Sequence, residues 1–260
     1  MLEKKAQDTT HFGFREVPTA RKGQLVSGVF DSVARRYDLM NDLMSAGIHR
    51  AWKAKLVDWL NPRPGLNLVD IAGGTGDVAF RFIERCQKRS GSFGGGGEAV
   101  AVCDANSNML DVGRDRAIDR GFVDGISWTC SDAEALPFDD ATFDAATIAF
   151  GIRNVTHVER ALTEARRVLK PGGHFLCLEF SKTVLPGLER IYDLYSFSVL
   201  PTLGQMITGD RDAYQYLVES IRRFPNQDDF AAMIGAAGFD NVRFLNLTGG
   251  VAAIHTAWRI

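Results

Sequence analysis

The sequence predicts an α/β protein in which one mostly parallel β-sheet carries helices on both faces. From residue 66 onward, short apolar runs rich in β-branched residues alternate with amphipathic stretches of helical length, a pattern that is typical of parallel sheets. The first apolar run leads through a glycine turn, GGTG at 73–76, directly into a helical stretch. Because 260 residues can form one large core, we expect a single domain over 1–260.

Two helices are predicted before the first strand. Between 24 and 44, apolar residues recur every three or four positions, which is the period of an amphipathic helix. A second helical stretch covers 49–60 and ends at NPRPG, where two prolines and a glycine stop the helix. We expect the region 24–60 to form a helical cap beside the sheet.

Five strands then alternate with helices along the chain. The predicted strands are 66–72, 99–103, 125–130, 143–150 and 174–180. The predicted helices between them are 77–88, 107–120 and 158–169. Residues 90–98 include four consecutive glycines, which predict a surface loop because glycine loses the most backbone freedom on ordering. Right-handed crossovers place a ligand at the carboxyl ends of such strands, so 66–180 is the predicted ligand-binding core.

The alternation stops at 181–224, a long aromatic-rich stretch with helical periodicity. We expect this stretch to form a helical lid, since a groove for an apolar ligand needs material beyond the core. A helix at 228–237 and two strands at 241–247 and 251–260, joined around TGG at 248–250, complete the domain over 225–260. The last two strands predict an antiparallel pair at the edge of the parallel sheet.

Composition limits the classes of partner. The formal net charge is −2, which provides no bulk field to attract nucleic acid. The four cysteines show neither CxxC pairing nor zinc-ligand spacing, so we expect buried thiols in a reducing compartment and no metal site. No run approaches the roughly 20 apolar residues of a membrane span, and the N-terminal residues do not resemble a secretory signal. We expect a cytoplasmic protein, or a matrix protein if a mitochondrial presequence has been removed.

Acidic residues accompany the predicted strands at the edge where the glycine turn lies. Asp70 precedes the turn, Asp104 ends the second strand and Asp132 follows the third. Gly74 allows a nucleotide to approach the backbone closely, and Asp104 can accept hydrogen bonds from both ribose hydroxyls. Carboxylates also favour the sulfonium and ammonium groups of S-adenosylmethionine. The sequence therefore predicts an S-adenosylmethionine site, with a nicotinamide dinucleotide as the alternative.

Three stretches carry a family resemblance: YDLMNDLMSAGIHRAW at 37–52, GIRNV at 151–155 and RVLKPGGHFLCLEFS at 167–181. They resemble the UbiE-type C-methyltransferases of ubiquinone and menaquinone synthesis. The resemblance implies a Rossmann-like class I methyltransferase fold, with a seven-stranded, mostly parallel sheet and an antiparallel terminal strand. It also implies methylation of a ring carbon of 2-methoxy-6-polyprenyl-1,4-benzoquinol, and of demethylmenaquinol where that quinone is made. The family's cofactor contacts fall on Thr75, Asp104, Asp132 and Ala133.

The implied reaction needs an electron-rich ring carbon, which deprotonation of a quinol hydroxyl provides. Near the predicted strand ends lie Arg153 and Asn154, and Tyr37 joins them if the N-terminal helices fold over the site. A guanidinium is not a base near neutral pH, so we predict that Arg153 stabilises the developing quinolate. His49 precedes a helix, where capping or packing competes with a role in proton transfer.

Three alternatives to quinol methylation stay open at this point. They are a nicotinamide-dependent oxidoreductase, a methyltransferase of another small apolar acceptor, and a non-catalytic subunit of a quinone-biosynthesis complex. A polyprenyl acceptor implies peripheral contact with a membrane, without insertion. The sequence does not decide whether the protein is a monomer, a homodimer or part of a larger complex.

Overall fold

The computed structural model describes residues 8–34, 37–45, 47–63, 65–90, 100–184 and 211–260. The strands are β1 (Thr9–Phe12), β2 (Arg15–Pro18), β3 (Leu68–Ile71), β4 (Val100–Asp104), β5 (Ile126–Cys130), β6 (Phe143–Ala149), β7 (Leu169–Phe180), β8 (Asp240–Leu247) and β9 (Ala252–Trp258). The helices are α1 (Thr19–Val33), α2 (Tyr37–Ser45), α3 (His49–Leu60), α4 (Asp77–Ser90), α5 (Ser107–Asp119), α6 (Val158–Val168), α7 (Arg211–Arg223) and α8 (Gln227–Ala236).

Seven strands form one sheet in the order β5-β4-β3-β6-β7-β9-β8. Strands β3 to β7 run parallel, whereas β9 is antiparallel to both β7 and β8. The predicted seven-stranded, mostly parallel sheet with an antiparallel C-terminal strand is thus confirmed. The strand order reverses between β3 and β6, and such a switch point opens a crevice at the carboxyl ends of the strands.

The apolar faces of the sheet are covered by two separate clusters. One contains Leu56 and Phe82, and the other contains Leu162 and Phe230, all fully buried. Because β3 is buried along its whole length, it belongs to both layers: Leu68 lies in the first cluster, and Val69 in the second. The alternation of side chains along the strand produces this division.

Helix α3 is fastened to the sheet by an ion pair as well as by packing. The Lys53 ammonium lies 3.0 Å from the Asp77 carboxylate, at the start of α4, and the Lys53 side chain is almost completely buried. Trp52, on the same helix, donates a hydrogen bond of 3.0 Å to the Thr248 hydroxyl in the β8–β9 turn. The first turn of α3 therefore lies at the same edge of the sheet as the glycine turn.

Several element boundaries differ from the sequence predictions. The predicted helix over 24–44 is divided into α1 and α2, and α1 begins at Thr19, directly after β2. The β1–β2 hairpin was not predicted, because its strands are only four residues long and show no clear alternation of buried and exposed residues. Strand β7 begins at Leu169 instead of 174, since Leu169 pairs with Phe143 before a register shift. Of the predicted lid, 185–210 lies outside the described residues, as does 91–99 of the glycine-rich loop.

Helix α1 lies against the carboxyl edge of the sheet. Its Lys22 ammonium donates to the Val155 carbonyl at 2.8 Å, and the Asn106 side chain, after β4, donates to the Asp31 carboxylate at 2.8 Å and to the Ser27 carbonyl at 3.3 Å. Helix α1 therefore packs across the carboxyl ends of the strands. Among the described residues, no helix is both long and apolar enough to cross a membrane.

Two glycines in helices should respond oppositely to alanine. A Cβ on Gly113 of α5 would lie 2.4 Å from the Trp128 ring and 3.3 Å from the Gly74 carbonyl, whereas a Cβ on the exposed Gly28 of α1 would meet nothing within 4 Å. Gly28→Ala should therefore raise the free energy of unfolding by about 0.5–1 kcal/mol. Gly113→Ala should lower it by about 1–3 kcal/mol, because overpacking outweighs helix propensity.

Urea unfolding of both variants measures these two changes. An equal stabilisation by both substitutions would show that α5 has room against the glycine turn, contrary to the described packing.

Candidate active site

A cavity of about 370 Å³ opens at the switch point of the sheet, within the range of about 300–1,000 Å³ found for small-molecule sites. The glycine turn, the ends of β4 and β6 and helix α1 contribute its wall. Of the predicted cofactor and catalytic residues, Gly74, Asp104, Asp132, Ala133 and Asn154 line it. The structure therefore brings together five residues from four separate segments of the sequence.

Asp104 is the centre of the polar wall. One carboxylate oxygen accepts from the Gly74 backbone N–H at 2.9 Å, and the other accepts from the Asn106 backbone N–H at 2.8 Å. Burial raises the pKa of the Asp104 carboxyl to about 6, although both hydrogen bonds oppose that change. An ionised carboxylate has room for about four hydrogen bonds, so the two backbone donors leave acceptor capacity for a diol in the cavity.

Asp70 lies beneath the glycine turn and does not line the cavity. It is 1% exposed; one carboxylate oxygen accepts from the Thr147 hydroxyl at 2.7 Å, and the other has no hydrogen-bond partner among the described residues. Burial raises the pKa of Asp70 to about 7. A buried carboxylate without a full set of partners favours a nearby cation, and the Lys53 charge opposes the rise in the pKa of Asp70.

The remaining predicted cofactor residues differ in whether they line the cavity. Asp132 is exposed at the rim and accepts from the Glu134 backbone N–H at 3.0 Å, and Ala133 is buried beside it. Both can contact a base at the mouth of the cavity. Thr75 does not line the cavity: its buried hydroxyl accepts from the Arg116 guanidinium at 3.1 Å and faces α5.

Two strand ends adopt a strained backbone where they meet the cavity. Ala72 has φ of 52° and Phe150 has φ of 61°, and both line the wall. Non-glycine residues in the left-handed region cost free energy and are concentrated at functional sites. At Gly74, φ is 54° and a Cβ would lie 3.0 Å from the Met109 side chain. Glycine there keeps the turn open to a ligand.

Arg153 points away from the cavity. Its guanidinium pairs with the buried Glu179 carboxylate at 2.8 Å and donates to the Phe150 carbonyl at 2.6 Å and to the Ser220 hydroxyl at 3.3 Å. Burial raises the pKa of Glu179, and the Arg153 charge opposes that change. The described placement therefore does not support direct contact between Arg153 and an acceptor in this cavity, which the sequence analysis predicted.

Asn154 is the predicted catalytic residue that reaches the cavity. Its side-chain oxygen accepts from the Tyr216 hydroxyl of α7 at 3.0 Å. Tyr37 begins α2, but its side chain lies outside the described residues, so its predicted role stays a prediction.

His49 and Asp42 explain part of the 37–52 signature. The imidazole Nε2 lies 2.9 Å from the Asp42 carboxylate, which also pairs with Arg50 at 2.7 Å. A hydrogen bond from Arg50 lowers the pKa of Asp42 to about 2, and burial lowers the pKa of His49. Asp42 thus joins α2 to the start of α3. His49 takes part in this contact, which fits the packing role considered for it from the sequence.

The structure adds site residues that the sequence analysis missed. Asn106 lines the cavity, caps α5 by accepting from the Met109 backbone N–H at 3.0 Å, and holds α1. Its position two residues after Asp104 was the available signal, since asparagine is a preferred helix N-cap. Gln24 and Phe30 of α1 also line the cavity. Their contribution to the cavity could not be predicted from the sequence. Periodicity shows which face of a helix is apolar, but it does not show which element packs against that face.

The charge of the cavity distinguishes between the candidate cofactors. Asp104 and Asp132 line it, and none of its described lining residues is Lys, Arg or His. A dinucleotide would bring a pyrophosphate, whereas S-adenosylmethionine brings a sulfonium and an ammonium. A cavity lined by two carboxylates and by no described cationic side chain fits the latter. Fold and site together define an S-adenosylmethionine-dependent methyltransferase.

Comparison with known proteins narrows this class to one family. Residues 18–259 match the ubiE/COQ5 methyltransferase family, and the chain belongs to it. It is 55% identical over 251 residues to the ubiquinone/menaquinone biosynthesis C-methyltransferase UbiE of Brucella abortus, covering 96% of this chain and 90% of that protein. It is 53% identical over 283 residues to the mitochondrial 2-methoxy-6-polyprenyl-1,4-benzoquinol methylase of Rattus norvegicus, covering 99% of this chain and 86% of that protein.

A solved structure supports the fold independently. The crystal structure of a SAM-dependent methyltransferase from Thermotoga maritima is similar with a TM-score of 0.61 and 19% sequence identity, covering 90% of this chain and all of that one. At this identity the similarity concerns the fold alone. The predicted Rossmann-like fold is thus confirmed, and the family match confirms the predicted enzyme class and cofactor.

Asp104→Ala should weaken binding of S-adenosylmethionine about 10- to 150-fold, because it removes charged hydrogen bonds worth about 1.5–3 kcal/mol. Binding by the native protein should also weaken as the pH falls below about 6, where the Asp104 carboxyl becomes protonated. Titration calorimetry between pH 5 and 8 measures both effects, and Asp119→Ala, at the end of α5, serves as a surface control. An unchanged dissociation constant for Asp104→Ala would remove this residue from the cofactor site.

Proposed function

We propose that the protein methylates a ring carbon of a polyprenylated benzoquinol during ubiquinone or menaquinone biosynthesis. The acceptors would be 2-methoxy-6-polyprenyl-1,4-benzoquinol and, where that quinone is made, demethylmenaquinol. The observation that carries the proposal is an acidic cavity free of described cationic side chains, at the switch point of a chain that is more than half identical to proteins named for this reaction.

Apolar side chains make up much of the cavity wall. Val26, Phe30, Met109 and Phe150 line it from α1, α5 and the end of β6. Such a wall suits an aromatic acceptor and excludes water, which strengthens electrostatic interactions within the site. S-adenosylmethionine, when bound, supplies an electrophilic methyl group on a positively charged sulfur. The residues of the chain then need only to hold the acceptor in line and stabilise its negative charge.

Asn154 is placed to stabilise the acceptor oxygen. It lies on the cavity wall, and its side-chain oxygen is already engaged by Tyr216. The amide NH₂ group remains as a donor, and a donor aimed at an oxygen that gains charge is a common means of rate enhancement. We assign Asn154 as the residue that hydrogen-bonds the quinol oxygen when that oxygen loses its proton. That proton, and the one that the ring carbon releases after it has gained the methyl group, pass to solvent water.

The Arg153 side chain has a different role in this proposal. It neutralises Glu179, and it fixes the 152–154 turn by donating a hydrogen bond to the Phe150 carbonyl. It therefore acts as a positioning residue for its neighbour Asn154 and does not contact the acceptor. This role replaces the quinolate contact predicted from the sequence.

The chemistry of the acceptor also determines where the protein must bind it. A polyprenyl quinol resides in a bilayer, so the protein must contact the membrane surface to reach it, and an amphipathic surface binds there peripherally. We propose this contact for the face around the cavity. The predicted lid at 181–224 remains a proposal because most of it lies outside the described residues.

Arg153→Ala should destabilise the protein by about 3–5 kcal/mol, because it leaves Glu179 buried without a countercharge. Glu179 has a raised pKa in the folded protein, so this deficit should shrink as the pH falls and Glu179 becomes protonated. Thermal unfolding between pH 5 and 9 measures it, and Arg153→Met with Glu179→Gln is the matched variant that should recover stability. Normal stability together with slow turnover that recovers at high pH would instead favour direct contact with the quinolate.

The reaction itself is tested with S-adenosylmethionine labelled with ¹³C in its methyl group and a short-chain prenyl benzoquinol presented in vesicles. We expect the product to gain one methyl group, and its ¹³C resonance to be that of a ring-bound and not an oxygen-bound methyl. The oxidised quinone should not react, because its ring is electron-poor. Labelling of an oxygen, or cofactor binding without turnover of any quinol, would contradict the proposal.

A further inference from the structure

We infer that Tyr216 is a positioning residue for the methyl transfer, and that it acts by fixing the side-chain amide of Asn154 at the cavity wall. This inference rests on the proposed quinol methylation and on the role assigned there to Asn154. It concerns a residue of α7 that the sequence motifs do not contain and that does not line the cofactor cavity.

The contact joins two distant parts of the chain. The Tyr216 hydroxyl donates to the Asn154 side-chain oxygen at 3.0 Å, across 62 residues of sequence. Asn154 ends the short 3₁₀ turn Ile152–Asn154 that follows β6, and Tyr216 is 3% exposed in the middle of α7. A short turn by itself leaves the terminal amide of an asparagine free to rotate, whereas a bond to a buried hydroxyl selects one orientation.

The tyrosine is itself held on two sides. Its ring stacks on Phe12 of the N-terminal hairpin, with ring centroids 4.1 Å apart and an interplanar angle of 16°. Glu219, three residues later on α7, accepts from the Phe14 backbone N–H at 2.9 Å. A Cβ on Gly13 would lie within 3.2 Å of the Glu219 side chain, so the hairpin turn fits closely against the helix. These contacts therefore fix the position of the Tyr216 hydroxyl relative to the β1–β2 hairpin.

The same helix also contacts the residue before Asn154. Ser220, one turn after Tyr216, accepts from the Arg153 guanidinium at 3.3 Å. Two successive residues of the 152–154 turn are thus bound to two successive turns of α7. This arrangement fits a helix that sets the position of the turn.

The Tyr216 hydroxyl is protonated, which is the state that its hydrogen bond to the amide oxygen requires. Burial raises the pKa of Tyr216 above its ordinary range, with the Glu179 charge acting in the same direction and Arg153 opposing. The hydroxyl therefore remains protonated and able to donate, and in the structure the amide oxygen faces it. The NH₂ group is then available to the acceptor oxygen, where a donor is needed and an acceptor would be repulsive.

Tyr216→Phe keeps the ring and its stacking while it removes the hydroxyl. We expect a fall in kcat of roughly 10- to 100-fold, as for the displacement of a catalytic group by about 1 Å, with the dissociation constant of S-adenosylmethionine unchanged. Tyr214→Phe is the matched control, because Tyr214 is fully buried on the same helix and should leave kcat and cofactor affinity as they are.

A double-mutant cycle separates positioning from a general structural effect. If Tyr216 acts through Asn154, Tyr216→Phe should lower kcat in the native background but hardly at all in an Asn154→Ala background. Equal effects in the two backgrounds would overturn the inference. So would an unchanged kcat in the single variant.

A readout that does not depend on turnover covers the case in which the acceptor assignment is wrong. The side-chain NH₂ resonances of Asn154, identified by their loss in Asn154→Ala, should shift or broaden in Tyr216→Phe and remain in place in Tyr214→Phe. Shifted resonances without any quinol methylation by the native enzyme would refute the proposed function and leave the amide contact intact. Unmoved resonances would refute the contact itself.

Discussion

The architecture of the site depends on the carboxylate of Asp104 at the end of β4. Its two oxygens bind the backbone N–H groups of Gly74 and Asn106, so the glycine turn and the β4–α5 turn are held by one side chain. Asn106 in turn caps α5 and binds α1. Three elements therefore converge on one carboxylate, and the cavity is the space that they enclose with the end of β6.

This arrangement has an energetic cost that a ligand can offset. Burial raises the pKa values of Asp104 and Asp70, which means that their ionised forms are less stable in the protein than in water. A cationic ligand with hydroxyl donors provides the interactions that the Asp104 carboxylate lacks. The strained backbone at Ala72 and Phe150 belongs to the same edge. The chain thus concentrates its unfavourable local interactions where the cofactor binds.

Much of the fold followed from sequence patterns, because alternating strands and helices with a glycine turn admit few topologies. Asp104 and Asp132 were correctly placed at the cavity for the same reason: the carboxyl ends of neighbouring parallel strands lie side by side. Arg153 was harder to place. Successive residues of a 3₁₀ turn point roughly 120° apart, so Arg153 faces Glu179 while Asn154 faces the cavity, and the sequence does not show which residue faces which way. The exposed Cys130 shows the same limit, since strand position alone predicted a buried thiol.

The most direct test of this account is a crystal structure of the protein with S-adenosylhomocysteine, in which the distances from the Asp104 carboxylate to the two ribose hydroxyls are measured. The account predicts that each hydroxyl lies about 2.5–3.0 Å from an Asp104 oxygen, with the Gly74 and Asn106 bonds retained. Ribose oxygens more than about 3.5 Å from Asp104, beyond hydrogen-bond distance, would contradict it.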